Sequence, residues 1–258
     1  ATQAGQATGV ALKNGEQFRA ATVISGVDPY NTLLRLVGPK YLETAFVRAV
    51  RHIKYRGSAA RVHLALCRLP RFVALPEGDS ETYLHGAVQI APTMDYIQRA
   101  FDHAKYGDFS PHPYMDIRIP SVSDSALAPS GCHLMSITVK YAPYKLRHAD
   151  WETQRDALGE SVLETLAHYA PEVRDSVLHM QVVTPRDMEV IYGLPEGNPN
   201  HGEMTLDQFF HMRPVPGYAR YRTPIAGLWL CGAGAHPGGG VTGLPGKNAA
   251  REVLSHTG

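Results

Sequence analysis

The sequence lacks the signals of several protein classes. It has no basic run, and its net charge over 258 residues is only +1, which argues against broad electrostatic capture of nucleic acid. No stretch approaches the roughly 18 uninterrupted apolar residues of a membrane-spanning helix, and Ala1 does not open a signal-peptide pattern. We therefore expect no nucleic-acid partner and no transmembrane segment.

Metal-binding and disulfide patterns are also missing. The three cysteines, Cys67, Cys132 and Cys231, are far apart and form no CxxC pair, which fits a reducing compartment better than a disulfide framework. The 13 histidines are scattered, and none lies in an HExxH pattern. We predict that the chain holds no metal.

The sequence offers little for hydrolytic catalysis. The GxSxG pattern of the α/β-hydrolase elbow is absent. Cys132 and His133 are adjacent, but neighbouring side chains on a strand point to opposite faces, so they are poorly placed to act as a nucleophile and its base. No side chain is identified as a catalytic acid, base or nucleophile.

What is present is an alternation of strand and helix patterns in a chain of ordinary composition, 44% hydrophobic and 19% charged. Asn14-Gly15 marks a hairpin, and Asp28, Asp150 and Thr184 stand at helix N-cap positions. We predict an α+β (α/β) fold whose mostly antiparallel sheet carries helices on one side. Strands are expected over residues 61–69, 82–90, 114–119, 133–141 and 177–183, and helices over 31–37, 40–53, 93–105, 150–168 and from 184.

The densest local signal is a glycine-rich turn near the C-terminus. The apolar run Leu228-Trp229-Leu230 precedes it, six glycines lie between residues 232 and 243, and an Ala-rich stretch follows, which predicts a strand–loop–helix unit. Glycine lets a ligand approach the backbone closely, and a helix N-terminus favours negative charge. The pattern therefore predicts a segment that contacts a cofactor.

Two other interpretations of this turn remain open. Gly238, Gly240 and Gly243 formally match GxGxxG, but only fifteen residues follow, which leaves no room for the second strand of a Rossmann unit. The simpler alternative is a packing turn that precedes a terminal helix.

An ordered series of segments, spread over nearly the whole chain, resembles the phytoene-desaturase-like flavoprotein oxidoreductases. Within that family the chain is most similar to the pyridine nucleotide-disulphide oxidoreductase domain-containing group. The likeness implies an FAD-dependent oxidoreductase that passes a hydride from an apolar small molecule to flavin, in the cytoplasm or, in a eukaryote, the mitochondrial matrix. Besides the glycine-rich turn, the matching segments are 127–133, 141–144, 169–171, 184–189, 193–198 and 213–216.

The resemblance also implies a domain plan. Residues 1–30 and 216–258 would belong to an FAD domain, and 31–215 would form the substrate-binding domain. No Rossmann unit occurs in this sequence, so we expect this chain alone to bind FAD weakly or not at all. The implied cofactor contacts are Gly232, Ala233, Gly234, His236, Pro237, Gly238, Gly239, Gly240, Val241, Thr242 and Gly243.

A second polar loop is a candidate to face the substrate. The family places the matching loop beside the flavin and substrate cavity, so the resemblance implies that Asn198, His201 and Gln208 line it. A surface loop that uses Asn and Gly for turn chemistry is an equal alternative. For Arg213 a structural role, with hydrogen bonds to loop carbonyls, is favoured.

Two hypotheses about function follow. In the first, the chain is the substrate domain and C-terminal FAD segment of an oxidoreductase. In the second, it is a non-catalytic binding module that retains no cofactor. Its exposed sheet edge would then favour a homo-oligomer or a missing N-terminal half as partner.

Overall fold

The structure, a computed structural model, describes residues 1–3, 5–76 and 80–257. The chain divides into two compact units. Unit 1 contains Ala1–Arg56 and Asn198–Gly258, and unit 2 contains Gly57–Gly197. The strands are β1 (Thr2–Gln3), β2 (Gln6–Ala7), β3 (Gly9–Ala11), β4 (Gln17–Arg19), β5 (Val23–Ser25), β6 (Ala59–Leu66), β7 (Val88–Ile90), β8 (Met115–Arg118), β9 (His133–Lys140), β10 (Val177–Val183) and β11 (Leu228–Leu230).

The helices share the two units with these strands. A π-helical segment spans Asn31–Val37. The α-helices are α1 (Thr44–Arg51), α2 (Ser80–Leu84), α3 (Met94–Lys105), α4 (Pro120–Ser123), α5 (Trp151–Tyr169), α6 (Val173–Ser176), α7 (Pro185–Tyr192) and α8 (Leu244–Thr257). No helix in the described parts of the chain combines the length and the apolar character needed to cross a lipid bilayer.

Unit 2 is built on a five-stranded sheet with the order β10-β6-β9-β8-β7, in which all neighbours are antiparallel. Every second residue of β6 is buried, and Leu158, Val162 and Leu166 of α5 join the same core. A Cβ on Gly159 would lie 2.7 Å from Cε of Met180, so the missing side chain lets α5 approach β10 closely. The predicted antiparallel sheet with helices is confirmed.

Local capping signals of unit 2 are confirmed as well. The Asp150 carboxylate accepts a hydrogen bond from the N–H of Thr153 at the start of α5. Thr184 and Asp187 form a reciprocal capping box at the start of α7. Both helices therefore begin where the sequence places their N-caps.

One predicted strand is partly wrong. Residues 82–84 belong to α2, and β7 begins only at Val88. The helical turn buries Leu84, which is 2% exposed, in the core of unit 2. A short apolar run does not distinguish a helix from a strand, and here packing decides for the helix.

Unit 1 brings distant parts of the chain together. β3 and β4 form the predicted hairpin around Asn14-Gly15. β5 pairs in parallel with β11, so Val23-Ile24-Ser25 and Leu228-Trp229-Leu230 lie side by side. Ala249 and Val253 of α8 pack on this pair, whereas Ala250 is exposed because it lies on the outer face of the helix.

The boundaries of the units differ from the expected domain limits at 30/31 and 215/216. Leu33 of the π-helical segment and Phe46 and Val50 of α1 form one core cluster with Val215. Residues 31–56 therefore belong to the same unit as the C-terminal segment. The assignment of either unit to FAD or to substrate stays a prediction.

Candidate functional site

The glycine-rich loop begins where β11 ends, in unit 1. The N–H of Cys231 continues the parallel pairing by donating to the carbonyl of Ser25 at 2.9 Å. The loop then runs to Gly243, and α8 starts at Leu244. A strand, a loop and a helix thus follow one another as the sequence predicts.

Three glycines of the loop are required by protein packing. A Cβ on Gly232 would lie 2.4 Å from the carbonyl oxygen of Gly26, and one on Gly234 would lie 2.3 Å from Cδ of Pro29. A Cβ on Gly239 would lie 2.4 Å from Oδ1 of Asn200. Protein atoms therefore fill the Cβ positions of these three glycines, and their contact with a ligand stays a prediction.

Two other glycines leave open space at the end of the loop. Gly240 has φ +90° and Gly243 has φ +70°, and both values favour glycine. A Cβ on Gly240 would meet only Cγ2 of Thr242, at 3.7 Å, and a Cβ on Gly243 would meet nothing within 4 Å. Val241 is fully exposed between them. The backbone over 240–243 is therefore open to a ligand.

Gly238 has an apolar neighbourhood and also a left-handed backbone. Its φ is +124°, and a Cβ would lie 3.2 Å from the ring of Phe209 and 3.3 Å from Cε of Met204. Met204 and Phe210 contact this part of the loop and are exposed, as are Val241 and Leu244 further along the chain.

The middle of the loop is held by backbone carbonyls. Ala233 accepts a hydrogen bond from the Arg213 guanidinium at 2.7 Å, and His236 accepts one from the Tyr221 hydroxyl at 2.9 Å. The carbonyl of Pro237 accepts one from the N–H of Phe210 at 3.2 Å. Because these bonds use main-chain atoms, the His236 side chain is left available.

The His236 ring has an unusual position. Its Nδ1 atom is buried and has no hydrogen-bond partner within the described residues. His236 also lines a cleft of about 360 Å³ together with Tyr221, Asn248 and Arg251. A buried ring nitrogen without a partner carries a desolvation cost, so it is a candidate to bind a ligand atom.

The start of α8 adds further donors to the open end of the loop. Thr242 caps one of them, because its Oγ1 accepts from the N–H of Leu244 at 3.3 Å. Pro245 has no N–H, and the N–H of Lys247 donates to the carbonyl of Gly243 at 2.9 Å, so the N–H groups of Gly243 and Gly246 are the remaining donors at this end. The helix dipole is positive here. This end suits the electron-rich edge of a flat ligand.

Two of the three predicted substrate-loop residues are engaged within the protein. The Asn198 amide donates to the carbonyl of Tyr55 at 2.6 Å and accepts from the N–H of Asn200 at 2.8 Å. The Gln208 amide accepts from the N–H of Lys54 at 2.7 Å and donates to its carbonyl at 3.0 Å. Both side chains hold the loop, as in the structural alternative.

His201 differs from these two residues. Its Nδ1 atom is buried without a partner, and its φ is +54°. Burial lowers the pKa of its imidazole; the nearby Arg213 charge lowers it further, whereas Asp28 opposes the shift. A Cβ on Gly234 would lie 3.3 Å from Cβ of His201. A neutral imidazole with one free nitrogen thus lies against the glycine-rich loop.

Arg213 has the structural role that the sequence favours, and to an unexpected extent. It is 3% exposed and donates to five backbone carbonyls. These belong to Gln208 (2.8 Å), Asn200 (2.7 Å), Ala233 (2.7 Å), Gly202 (2.8 Å) and Glu203 (2.9 Å). Burial lowers the pKa of this guanidinium. The side chain ties the 200–208 loop to the glycine-rich loop.

A buried polar pair was missed by the sequence reasoning. Asp28 is 2% exposed, and its carboxylate accepts from the Asn31 N–H at 2.9 Å and from the Tyr55 hydroxyl at 3.3 Å. Burial, followed by the Asp28 charge, raises the pKa of Tyr55. Asp28-Pro29 signalled a helix start, but no sequence pattern reveals the burial of Tyr55 beside it.

Other features of the described residues do not form a competing site of this kind. No group of three or more His, Cys, Asp or Glu side chains in residues 1–3, 5–76 and 80–257 could hold a metal ion. Unit 2 has a cleft of about 710 Å³ that contains none of the predicted site residues. Arg99, His103, Arg147 and His148 are among its lining residues.

Known proteins resemble the chain along most of its length. It is 40% identical to "Pyridine nucleotide-disulfide oxidoreductase domain-containing protein 2" of Rattus norvegicus, over 97% of this chain and 44% of that protein. It is 28% identical to "Phytoene desaturase (neurosporene-forming)" of Cereibacter sphaeroides, over 94% and 45% respectively. No family model matches the chain.

The fold also has solved counterparts. The crystal structure of an oxidoreductase from Methanosarcina mazei gives a TM-score of 0.61 at 18% identity and covers 99% of this chain and 47% of that one. The chain thus spans less than half the length of the relatives that it matches. By these relationships the chain belongs to the phytoene-desaturase-like oxidoreductases and corresponds to the C-terminal part of their sequence.

Proposed function

We propose that this chain supplies the flavin-contacting loop and the substrate-binding sheet of an FAD-dependent oxidoreductase. One observation carries the proposal. Gly240 and Gly243 combine positive φ angles with open space, at the N-terminus of α8. Family membership supports a redox function, and the geometry supports a flat ligand placed against the backbone.

FAD, when bound, would accept the hydride that leaves the organic substrate. The residues of this chain would bind and orient it. The N–H groups of Gly243 and Gly246 would donate to the electron-rich edge of the ring, and the helix dipole would stabilise negative charge there. His236 and His201 would donate to or accept from the ligand, whereas Gly232, Gly234 and Gly239 would shape the loop.

The domain plan is part of the proposal. Unit 1 would belong to the FAD domain, and unit 2, with its five-stranded sheet, would be the substrate-binding domain. The proposed limits are therefore 56/57 and 197/198, in place of 30/31 and 215/216, because residues 31–56 share a core cluster with Val215. A reducing compartment, the cytoplasm or the mitochondrial matrix, fits the three free cysteines.

We also propose an apolar small molecule as substrate. Relatives at lower identity carry the names of a phytoene desaturase and of one component of a limonene dehydrogenase. Met204 and Phe210 expose apolar surface beside the glycine-rich loop, and Leu206 is exposed on the same 200–208 loop as Met204, which supports this class. Oxygen, a quinone or another acceptor would then reoxidise the flavin.

The test compares FAD with riboflavin, which lacks the ADP half. We expect the purified chain to bind both weakly, because pyrophosphate recognition normally rests on a Rossmann turn. Flavin fluorescence titrations measure this. Gly240→Val should weaken riboflavin binding, and Gly246→Ala, where a Cβ meets nothing within 4 Å, should not. Tight FAD binding by this chain alone would contradict the expectation that the ADP half of FAD binds mainly to a Rossmann unit outside this sequence. Unchanged riboflavin affinity in Gly240→Val would overturn the assignment of the glycine-rich loop to the flavin.

A second function is favoured by a different observation. In the part of the chain that the structure describes, β5 and β11 form a two-stranded parallel sheet. Arg222 bridges the far side of β11, so the open edge is that of β5, where Ile24 is 50% exposed. Open parallel edges are rare, and their unpaired groups attract another chain. The alternative is a module without cofactor that associates with itself or with a partner. Analytical ultracentrifugation tests this alternative. A colourless protein that sediments as a stable dimer would favour the module without cofactor.

A further inference from the structure

We propose that Arg213 is a positioning residue for the flavin-contacting loop, an inference that rests on the proposed function. Its guanidinium lies beneath the 200–208 loop and is almost completely buried. Through that loop it would fix Gly238 and Gly239, which it does not touch. Its role would therefore go beyond holding the fold together.

Every N–H donor of the Arg213 guanidinium has a hydrogen-bond acceptor. A guanidinium has five N–H groups in a rigid fork, and here each has a backbone carbonyl acceptor at 2.7–2.9 Å. Four of the five carbonyls lie on the 200–208 loop, and the fifth is Ala233 of the glycine-rich loop. A lysine, with three donors on a flexible stem, cannot reproduce this pattern.

Two contacts carry the effect from the 200–208 loop to the glycines. Arg213 donates to the carbonyl of Asn200, and Oδ1 of Asn200 occupies the place of a side chain on Gly239. Arg213 also contacts Sδ of Met204 at 3.2 Å, and Cε of Met204 lies against Gly238. Release of the guanidinium would free both supports at once.

The charge of Arg213 gives a second reason for a functional role. No carboxylate forms a salt bridge with it in the part of the chain that the structure describes. A buried charge is costly to desolvate, and carbonyl dipoles stabilise it without neutralising it. The guanidinium charge therefore stays buried within the loop pair near His201, where it and the Asp28 carboxylate act on the pKa of the imidazole in opposite directions.

The experiment measures amide hydrogen exchange in Arg213→Ala, Arg213→Lys and a matched control, Arg222→Lys. Arg222 belongs to the same unit, but it is exposed and stacks on Trp229 at 5.5 Å. In Arg213→Ala we expect exchange to rise about tenfold or more at 200–204 and at 238–239, with β6 and β9 unchanged. Arg213→Lys should give an intermediate result, and Arg222→Lys no change.

Chemical rescue separates positioning from general stability. Guanidinium ion, well below denaturing concentration, should restore protection at 238–239 and riboflavin affinity in Arg213→Ala, but should not affect Arg213→Lys. Loosening of 200–204 without any change at 238–239, or a uniform loss across unit 1 without rescue, would overturn the proposal. If Gly240→Val leaves riboflavin affinity unchanged while the exchange coupling persists, the proposed function fails and the positioning of 238–239 by Arg213 stands.

Discussion

At the scale of single residues, the glycines of the glycine-rich loop have different structural roles. Gly234 faces the ring of Pro29, which is rigid and cannot yield. We predict that Gly234→Ala lowers the free energy of unfolding by about 1–3 kcal/mol through overpacking. Urea denaturation, followed by Trp229 fluorescence in a Trp151→Phe background, measures this change.

The matched control is Gly246→Ala in the first turn of α8. A Cβ there meets nothing within 4 Å, and alanine is the better helix former, so stability should hold or rise by up to about 1 kcal/mol. Equal effects of the two substitutions would contradict the packing role of Gly234.

His201 should make stability depend on pH. Because its pKa is lowered in the folded protein, mainly by burial, the unfolded chain binds the proton more readily. Stability is therefore complete above the unfolded value near 6.5 and is lost as pH falls through the folded value. His201→Asn, which also tolerates positive φ, should reduce this slope.

Unit 2 has its own contribution with the same sign. Burial lowers the pKa of His63 on β6, and the Arg61 charge adds to the shift. Urea midpoints measured from pH 7.5 to about 5 in the His201→Asn and His63→Gln variants separate the two contributions. A slope that survives both substitutions unchanged would show that other groups control it.

At the scale of elements, the start of α7 is held by a network around Asp187. Its carboxylate accepts two hydrogen bonds from Arg155, at 2.5 and 2.9 Å, and one from the Thr184 N–H at 2.8 Å. Burial tends to raise the pKa of this carboxyl, but the bonds from Arg155 and Thr184 outweigh burial and lower it.

We predict that Asp187→Ala destabilises unit 2 by about 2–3 kcal/mol, because Arg155 and the helix start lose their shared acceptor. Thermal or urea unfolding measures it. Asp95→Ala is the control, since its ion pair with Arg99 on α3 is exposed and contributes little. Similar losses in both variants would argue against a special role for the network.

Capping and turn chemistry explain which elements were predictable. Asn14-Gly15, Asp150 and the Thr184–Asp187 box act through neighbours in sequence, so one sequence suffices to locate them. Residues 82–84 and the contacts of Gly232, Gly234 and Gly239 depend on residues far along the chain. A composition rich in glycine is compatible with ligand approach and with tight packing, and only the fold shows which applies.

At the scale of the whole molecule, the two units have separate cores. The large cluster lies wholly within residues 60–182, whereas the clusters around Leu33 and Trp229 lie in unit 1. The N–H of Gly57 donates to the carbonyl of Glu196 at 2.9 Å, so the two ends of unit 2 meet.

We therefore predict that residues 57–197 fold when expressed alone. A continuous segment with its own core meets the requirements of a domain. Far-ultraviolet circular dichroism and a cooperative urea transition reported by Trp151 would confirm this. A fragment that stays unfolded, while a tether to residues 1–56 and 198–258 restores it, would show that the core depends on unit 1.

The two-part composition of unit 1 was predictable only through family resemblance. Alternating patterns predicted the strands, but no local signal pairs Val23 with Leu228 or brings α1 to Val215. The compact units divide at 56/57 rather than at the expected 30/31, because α1 packs its apolar residues on a partner more than a hundred residues away in the sequence.

The parallel pairing of β5 with β11 has a consequence for the order in which the two units fold. These strands lie roughly 200 positions apart, and closing so long a loop is slow and costs entropy. Because Gly57 and Glu196 meet at the base of unit 2, early folding of that unit shortens the loop to the few dozen residues on either side. The sheet of unit 2 would thus act as a kinetic scaffold, and variants that slow its folding should delay the assembly of the glycine-rich loop in unit 1.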